Sequence, residues 1–232
     1  MTVAYLDGDP PIEITLRRSG RARRLSLRVS ALDGRVTLTL PDRARAADAL
    51  DFARERADWI LAAQARASGC VTVADGAVFP VEGRPVTVSG WSRRGPQLAD
   101  GVLSVPAARP GAAALAFLKT LARERLAAAS DNHAQRLGVG YRTITLRDTR
   151  SRWGSCTSEG RLMYSWRLIM APPEVLDYVA AHEVAHLVKM DHSPAFWRVV
   201  EELCPAWARH RDWLRAQGPA LHRVRFDHAK DD

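Results

Sequence analysis

Residues 181–193 read Ala-His-Glu-Val-Ala-His-Leu-Val-Lys-Met-Asp-His-Ser, and no other stretch limits so tightly what the chain can fold into. Val175, Val179, Val184 and Leu187 recur around it at helical spacing, which predicts a helix from about Pro173 to Val188, opened by Pro172-Pro173. On that helix His182 and His186, four apart, project from one face a single turn apart. Polar side chains in an apolar helix are costly unless something satisfies them. Two neutral imidazoles at this spacing can share one Zn2+ at N–Zn distances of about 2.0–2.1 Å. Glu183, about a quarter-turn from His182, can reach a water beside the ion without ligating it. The pattern predicts a catalytic metal centre rather than two surface histidines.

A catalytic zinc keeps three protein ligands and leaves the fourth position open. Two candidates compete for the third place. His192 follows His186 by six positions, and Ser193-Pro194 reads as an N-cap with proline at the first helical position, fixing a chain reversal just after it. Glu201 and Glu202, on the helix that follows, are the alternative. The reversal favours His192.

The remaining pattern predicts an α+β chain. Ile12–Leu16, Leu25–Val29 and Val36–Leu40 alternate apolar and polar residues, with turn chemistry at Ser19-Gly20 and Asp33-Gly34, which predicts an N-terminal antiparallel β-meander. Arg17, Arg18, Arg21, Arg23 and Arg24 crowd its first turn. A helix over 43–67 capped by Asp42, short strands near 71–73, 78–81, 86–88 and 102–105, and a helix over 112–137 follow. The composition shift at Pro110-Gly111 predicts one unit with a β-rich part, 1–110, and a catalytic part, 111–232. Within the latter, strands at 143–146 and 162–166 flank Arg152-Trp153-Gly154-Ser155-Cys156, and Leu162–Trp166 is the expected edge for an extended peptide.

Charge decides less. Thirty-four basic against 26 acidic residues leave +8, yet only Lys119, Lys189 and Lys230 are lysines. Such an excess can attract nucleotides or nucleic acid, but abundant arginine and alanine equally reflect genomic base composition. Cys70, Cys156 and Cys204 make no disulfide framework. The longest apolar run, 112–118, is far short of the ~20 residues of a membrane helix, and the first ten residues have neither the basic start nor the apolar core of a signal peptide. A cytoplasmic protein is expected.

The order Arg152-Trp153-Gly154-Ser155-Cys156, Trp166-Arg167-Leu168-Ile169, Asp177-Tyr178-Val179, His182-Glu183-x-x-His186 and Asp191-His192-Ser193-x-x-Phe196-Trp197 resembles the YgjP-like metallopeptidases. The arginine-rich hairpin and Thr39-Leu40-Pro41 fit the same family, and more distantly the SprT-like proteases, some of which act near DNA. The resemblance implies a compact zincin-like catalytic domain, one zinc at His182, His186 and His192, Glu183 as catalytic base, and a peptide or protein substrate. Lys189 stands where metzincins carry a turn glycine, and no Met-turn pattern follows.

Arg152, Trp153 and Ser155 are candidates for binding substrate from a loop beside the cleft, although Trp153 can equally fill core. Tyr178, one turn before His182, is a further substrate-binding candidate, although it reads more readily as a core or supporting residue. Cys156 has no dedicated base and is not expected to act as a nucleophile. Phe196, Trp197, Val200 and Leu203 form a stripe expected in the core. The function predicted is zinc-assisted peptide hydrolysis: the ion would lower the pKa of water and polarise the scissile carbonyl, with Glu183 relaying the proton. A nucleotide pyrophosphatase and a nucleic-acid-associated protease or binding module are the alternatives.

Overall fold

Alternating apolar residues build a sheet in the first part of the chain, as expected, but in a different order. The computed structural model describes residues 2–6, 11–30, 34–67, 69–92 and 95–226. They form two compact units, 1–70 and 71–232. In the first, β1 (Thr2–Leu6), β2 (Ile12–Arg18), β3 (Ser26–Val29) and β4 (Val36–Leu40) lie in the order β1-β2-β4-β3. β1 and β3 run antiparallel to their neighbours, whereas β2 and β4 are parallel. The predicted antiparallel meander is therefore corrected. β4 takes the inner place because Val36, Leu38 and Leu40 are all buried. β3 carries exposed Ser26 and Arg28 and suits an edge. Asp33, half of the second expected turn, lies outside the described residues.

The predicted helix over 43–67 is two, α1 (Ala46–Arg54) and α2 (Ala57–Ala67), and Arg45 rather than Asp42 precedes the first. Ala49, Ala53 and Ile60 close the core over β2 and β4.

The second unit begins with β5 (Val71–Val73), followed by β6 (Val78–Val81), β7 (Arg84–Ser89), β8 (Gln97–Ala99) and β9 (Val102–Ser104), the last four ordered β6-β7-β9-β8. These strands share one core with the long α3 (Pro110–Leu137), so Pro110-Gly111 opens a helix inside this unit, and the observed division falls at Cys70. β10 (Thr143–Arg147), β11 (Gly154–Cys156) and β12 (Arg161–Ser165) form a sheet ordered β10-β12-β11, with β12 parallel to β10 and antiparallel to β11. A 3-10 helix at Trp166–Met170 leads into α4 (Pro173–Ala185), then α5 (Pro194–Leu203), α6 (Trp207–Leu221) and β13 (Val224–Phe226), which pairs with β5.

Arg167 explains how the segment from α6 into β13 is held on this core. Its guanidinium grips Asp148 with two bonds of 2.6 and 3.0 Å and donates to the Leu221 and Val224 carbonyls at 2.9 and 3.0 Å. A bidentate, mostly buried arginine fixes geometry that a lysine could not. Among the described residues, no helix is long and apolar enough to cross a membrane.

Candidate active site

α4 carries the centre of the site. It is packed on nearly every side, with Val175, Val179, Ala180, Ala181, Val184 and Ala185 all in the core. Its helical bonding stops at Ala185, earlier than expected, and His186 is the C-cap. Leu187 N then donates to Val184 O, and Lys189 N to Ala185 O, closing a tight turn. Ser193 caps α5, its Oγ accepting from Phe196 N at 3.4 Å, and Asp191 Oδ1 accepts from Ser193 N at 3.3 Å. A cap of this kind is worth ~1 kcal/mol and fixes where α5 begins.

The turn and the cap bring three imidazoles together. One nitrogen from each of His182, His186 and His192 lies within 4.8 Å of the other two. Glu201 and Glu202 are exposed on α5 and outside this cluster. Phe196, expected only as core, backs all three rings: it stacks on His186 at 4.4 Å between centroids and stands 4.9 Å from each of the others. Trp197 closes over His182 at 5.6 Å and His192 at 6.0 Å.

The nitrogens suit a divalent cation. His186 Nδ1 lies 3.0 Å from the Lys189 carbonyl. A carbonyl can only accept, so Nδ1 carries the proton and Nε2 keeps a lone pair for a ligand. His182 Nε2 and His192 Nε2 stand 3.2 Å apart, close to the roughly 3.3 Å between two nitrogens on one tetrahedral zinc. Burial and the two neighbouring histidines hold the His182 pKa down to about 3. Burial also lowers that of His186, against the Lys189 hydrogen bond. Both rings are neutral at pH 7, as metal ligands must be.

Glu183 is 5% exposed, and burial pushes its carboxyl up to about 8, with Arg152 pulling the other way. Its side chain lies against the backbone of Gly154. A Cβ there would sit 2.6 Å from Glu183 Cγ and 2.7 Å from Cδ, so only glycine leaves room.

His182 and Glu183 face a cleft of about 320 Å³ whose other walls include Arg152, Trp153, Tyr178 and Arg211. Trp153 serves both readings made of it. Its indole seats on Gly218, where a Cβ would come within 2.7 Å of Cζ2, and the ring still lines the cleft. Tyr178 is 6.0 Å from the His182 ring, and burial pushes its hydroxyl up to about 12, so it remains a phenol. Arg152 is exposed at the rim; Ser155, in mid β11, is not among the residues lining the cleft. Burial, with Glu183 adding, lifts the Cys156 thiol to about 11, which leaves almost no thiolate. Arg211 and Arg215 reach the cleft from α6, and no local pattern in the sequence announced them.

The free edge is also corrected. β12 is hydrogen-bonded on both sides, whereas β11, the strand holding Gly154 against Glu183, has one neighbour only among the described residues.

No curated protein matches the chain significantly. Among solved structures, it is similar to the crystal structure of the metallopeptidase zymogen abylysin of Pyrococcus abyssi, at 22% identity over 43% of this chain and 98% of that one, with a TM-score of 0.37. The profile of the family described as YgjP-like, metallopeptidase domain, matches residues 23–217, which is most of the chain and leaves β1 and β2 outside the match. The chain belongs to the YgjP-like metallopeptidase family, and with it to the metal-dependent hydrolases.

Proposed function

We propose that this protein is a zinc peptidase in which His182, His186 and His192 hold the ion and Glu183 is the general base. The observation that carries this reading is the convergence of three imidazole nitrogens, one of them on His182, which lines the same cleft as the buried Glu183 carboxyl. An all-imidazole set suits zinc, and three ligands leave room for a reacting group. The peptidase family favours a peptide over the nucleotide and nucleic-acid alternatives that charge alone had raised.

A divalent cation held by the three histidines would supply Lewis acidity towards water and the scissile carbonyl, and its charge would draw down the Glu183 carboxyl that burial raises to about 8. The rest falls to the protein. The β11 edge accepts the peptide as an added strand, holding the scissile bond next to Glu183. A Glu183 oxygen takes a proton from the attacking water as the water oxygen bonds to the carbonyl carbon. The same carboxyl then gives that proton to the amine nitrogen as the C–N bond breaks. Trp153 and Tyr178 form walls that keep bulk water out.

The test is hydrolysis of a peptide panel by the zinc-loaded protein. Glu183→Gln, nearly isosteric but unable to take the proton, should keep the ion and lower turnover by ~10²–10⁴-fold. Wild-type turnover in that variant would remove Glu183 from the mechanism.

A further inference from the structure

The cleft beside Glu183 is unevenly charged. Arg152, Arg211 and Arg215 line it, and among the described residues Glu183 is the only carboxyl in its walls. Arg215 is partly answered by Asp212 at 3.5 Å, both side chains being 67% exposed, a pairing worth little. Arg152 and Arg211 have no ion-pair partner within 4 Å among the described residues.

Arg211 is also held in readiness. Its guanidinium lies 4.8 Å over the Trp207 ring and 5.6 Å from that of Trp197. Stacking fixes the plane of the fork, so little freedom is left to lose when it binds. Its Nε is buried without any hydrogen-bond partner. A buried donor left empty is a cost, and it falls on a guanidinium that lines the cleft. Val179 and Leu214 supply apolar wall beside it, which strengthens any ion pair formed there. At about 320 Å³ the cleft is at the small end of ligand sites.

We propose that Arg152 and Arg211 receive a carboxylate of the substrate next to the bond to be cleaved, so that the enzyme selects peptides carrying an acidic group at that place. This rests on the peptidase reading above and adds the substrate class. The carboxylate can come from an acidic side chain or from the peptide's C-terminus.

The experiment measures equilibrium binding of peptides to the full-length, zinc-loaded Glu183→Gln protein, where nothing is consumed, and turnover by the wild type in parallel. One pair of C-terminally amidated peptides differs only by Glu against Gln at one internal position, moved along the sequence. Another has neutral side chains and either a free or an amidated C-terminus. A nucleoside triphosphate is the third arm. The acidic or free-ended member should bind roughly 10- to 100-fold tighter than its neutral twin. Arg211→Gln and Arg152→Gln should each shrink that ratio, and the double variant should abolish it. Arg211→Lys, which keeps charge but loses the planar fork, should recover only part of it. Because Arg152 is exposed, its variant tests the site even where Arg211→Gln disturbs packing.

Gain from the internal Glu assigns the site to a side chain, and gain from the free end to a chain terminus. Equal affinities within both pairs, ratios untouched in the arginine variants, or a triphosphate displacing the acidic peptide through the same arginines would each overturn the proposal. Turnover reports separately on the peptidase reading: carboxylate selection in binding with no peptide cleaved would defeat that reading alone.

Discussion

The arginines crowded in the first unit and those that line the cleft of the second are used in different ways. In the first, Arg17, Arg18, Arg21, Arg23 and Arg24 are crowded in sequence and all exposed. Arg18 there acts as a clip: its Nη1 donates to the Asp42 carbonyl at 2.6 Å and to that of Ala44 at 3.0 Å, holding the segment after β4. In the second unit, Arg152 and Arg211 are far apart in sequence, yet both line the cleft beside Glu183. Density along the chain is therefore a poor guide to function. What matters is where the guanidinium groups converge and whether anything already answers them.

That contrast can be attacked from the active-site side first. Gly154→Ala should be nearly as damaging as losing Glu183 itself, because the new Cβ must displace the carboxyl it touches. A misplacement near 1 Å can cost about 10²-fold in rate. Zinc content should be unchanged, since Gly154 is not a ligand. Full kcat with the alanine in place would show that Glu183 needs no such seat.

A smaller effect sharpens the ligand set. His192→Ala should weaken zinc affinity more than either Glu201→Ala or Glu202→Ala, measured by competition with a chelator at fixed pH. Loss of a supporting hydrogen bond is worth ~10–100-fold in affinity, so the comparison must be quantitative. A glutamate variant losing more than His192→Ala would make the site His-His-Glu.

The smallest effect belongs to the first unit. Arg18→Ala should lower thermal stability by about 1 kcal/mol, the worth of a hydrogen bond or so, and leave kcat/KM unaltered. A fall in kcat/KM at full zinc occupancy would end the division of roles drawn above.

Much of the site was readable in the sequence because its spacing is local. Two histidines four apart on a helix share a face whatever surrounds them, and Ser193-Pro194 fixes a helix start that leaves His192 in the preceding turn. What escaped is what arrives from elsewhere in the chain. Arg211 comes on α6, and Phe196 shows the same helical stripe whether it packs on leucine or on three imidazoles. Fold class followed from periodicity, but alternation says that a segment is a strand and not which strand lies beside it. Hence β2, β3 and β4 were expected in chain order and lie otherwise. β1 gave no signal at all, since only Leu6 of its five residues is buried. The break between α1 and α2 falls at Glu55-Arg56, good helix formers that carry no stop signal.

Everything proposed for the cleft depends on His182, His186 and His192 forming one zinc site. Elemental analysis of the purified protein, set beside His182→Ala and His186→Ala at matched folding by circular dichroism, checks this. About one zinc per wild-type chain is expected, with its loss in each variant, because two remaining donors hold the ion too weakly. Full zinc retention by the doubly substituted protein would contradict the three-histidine site.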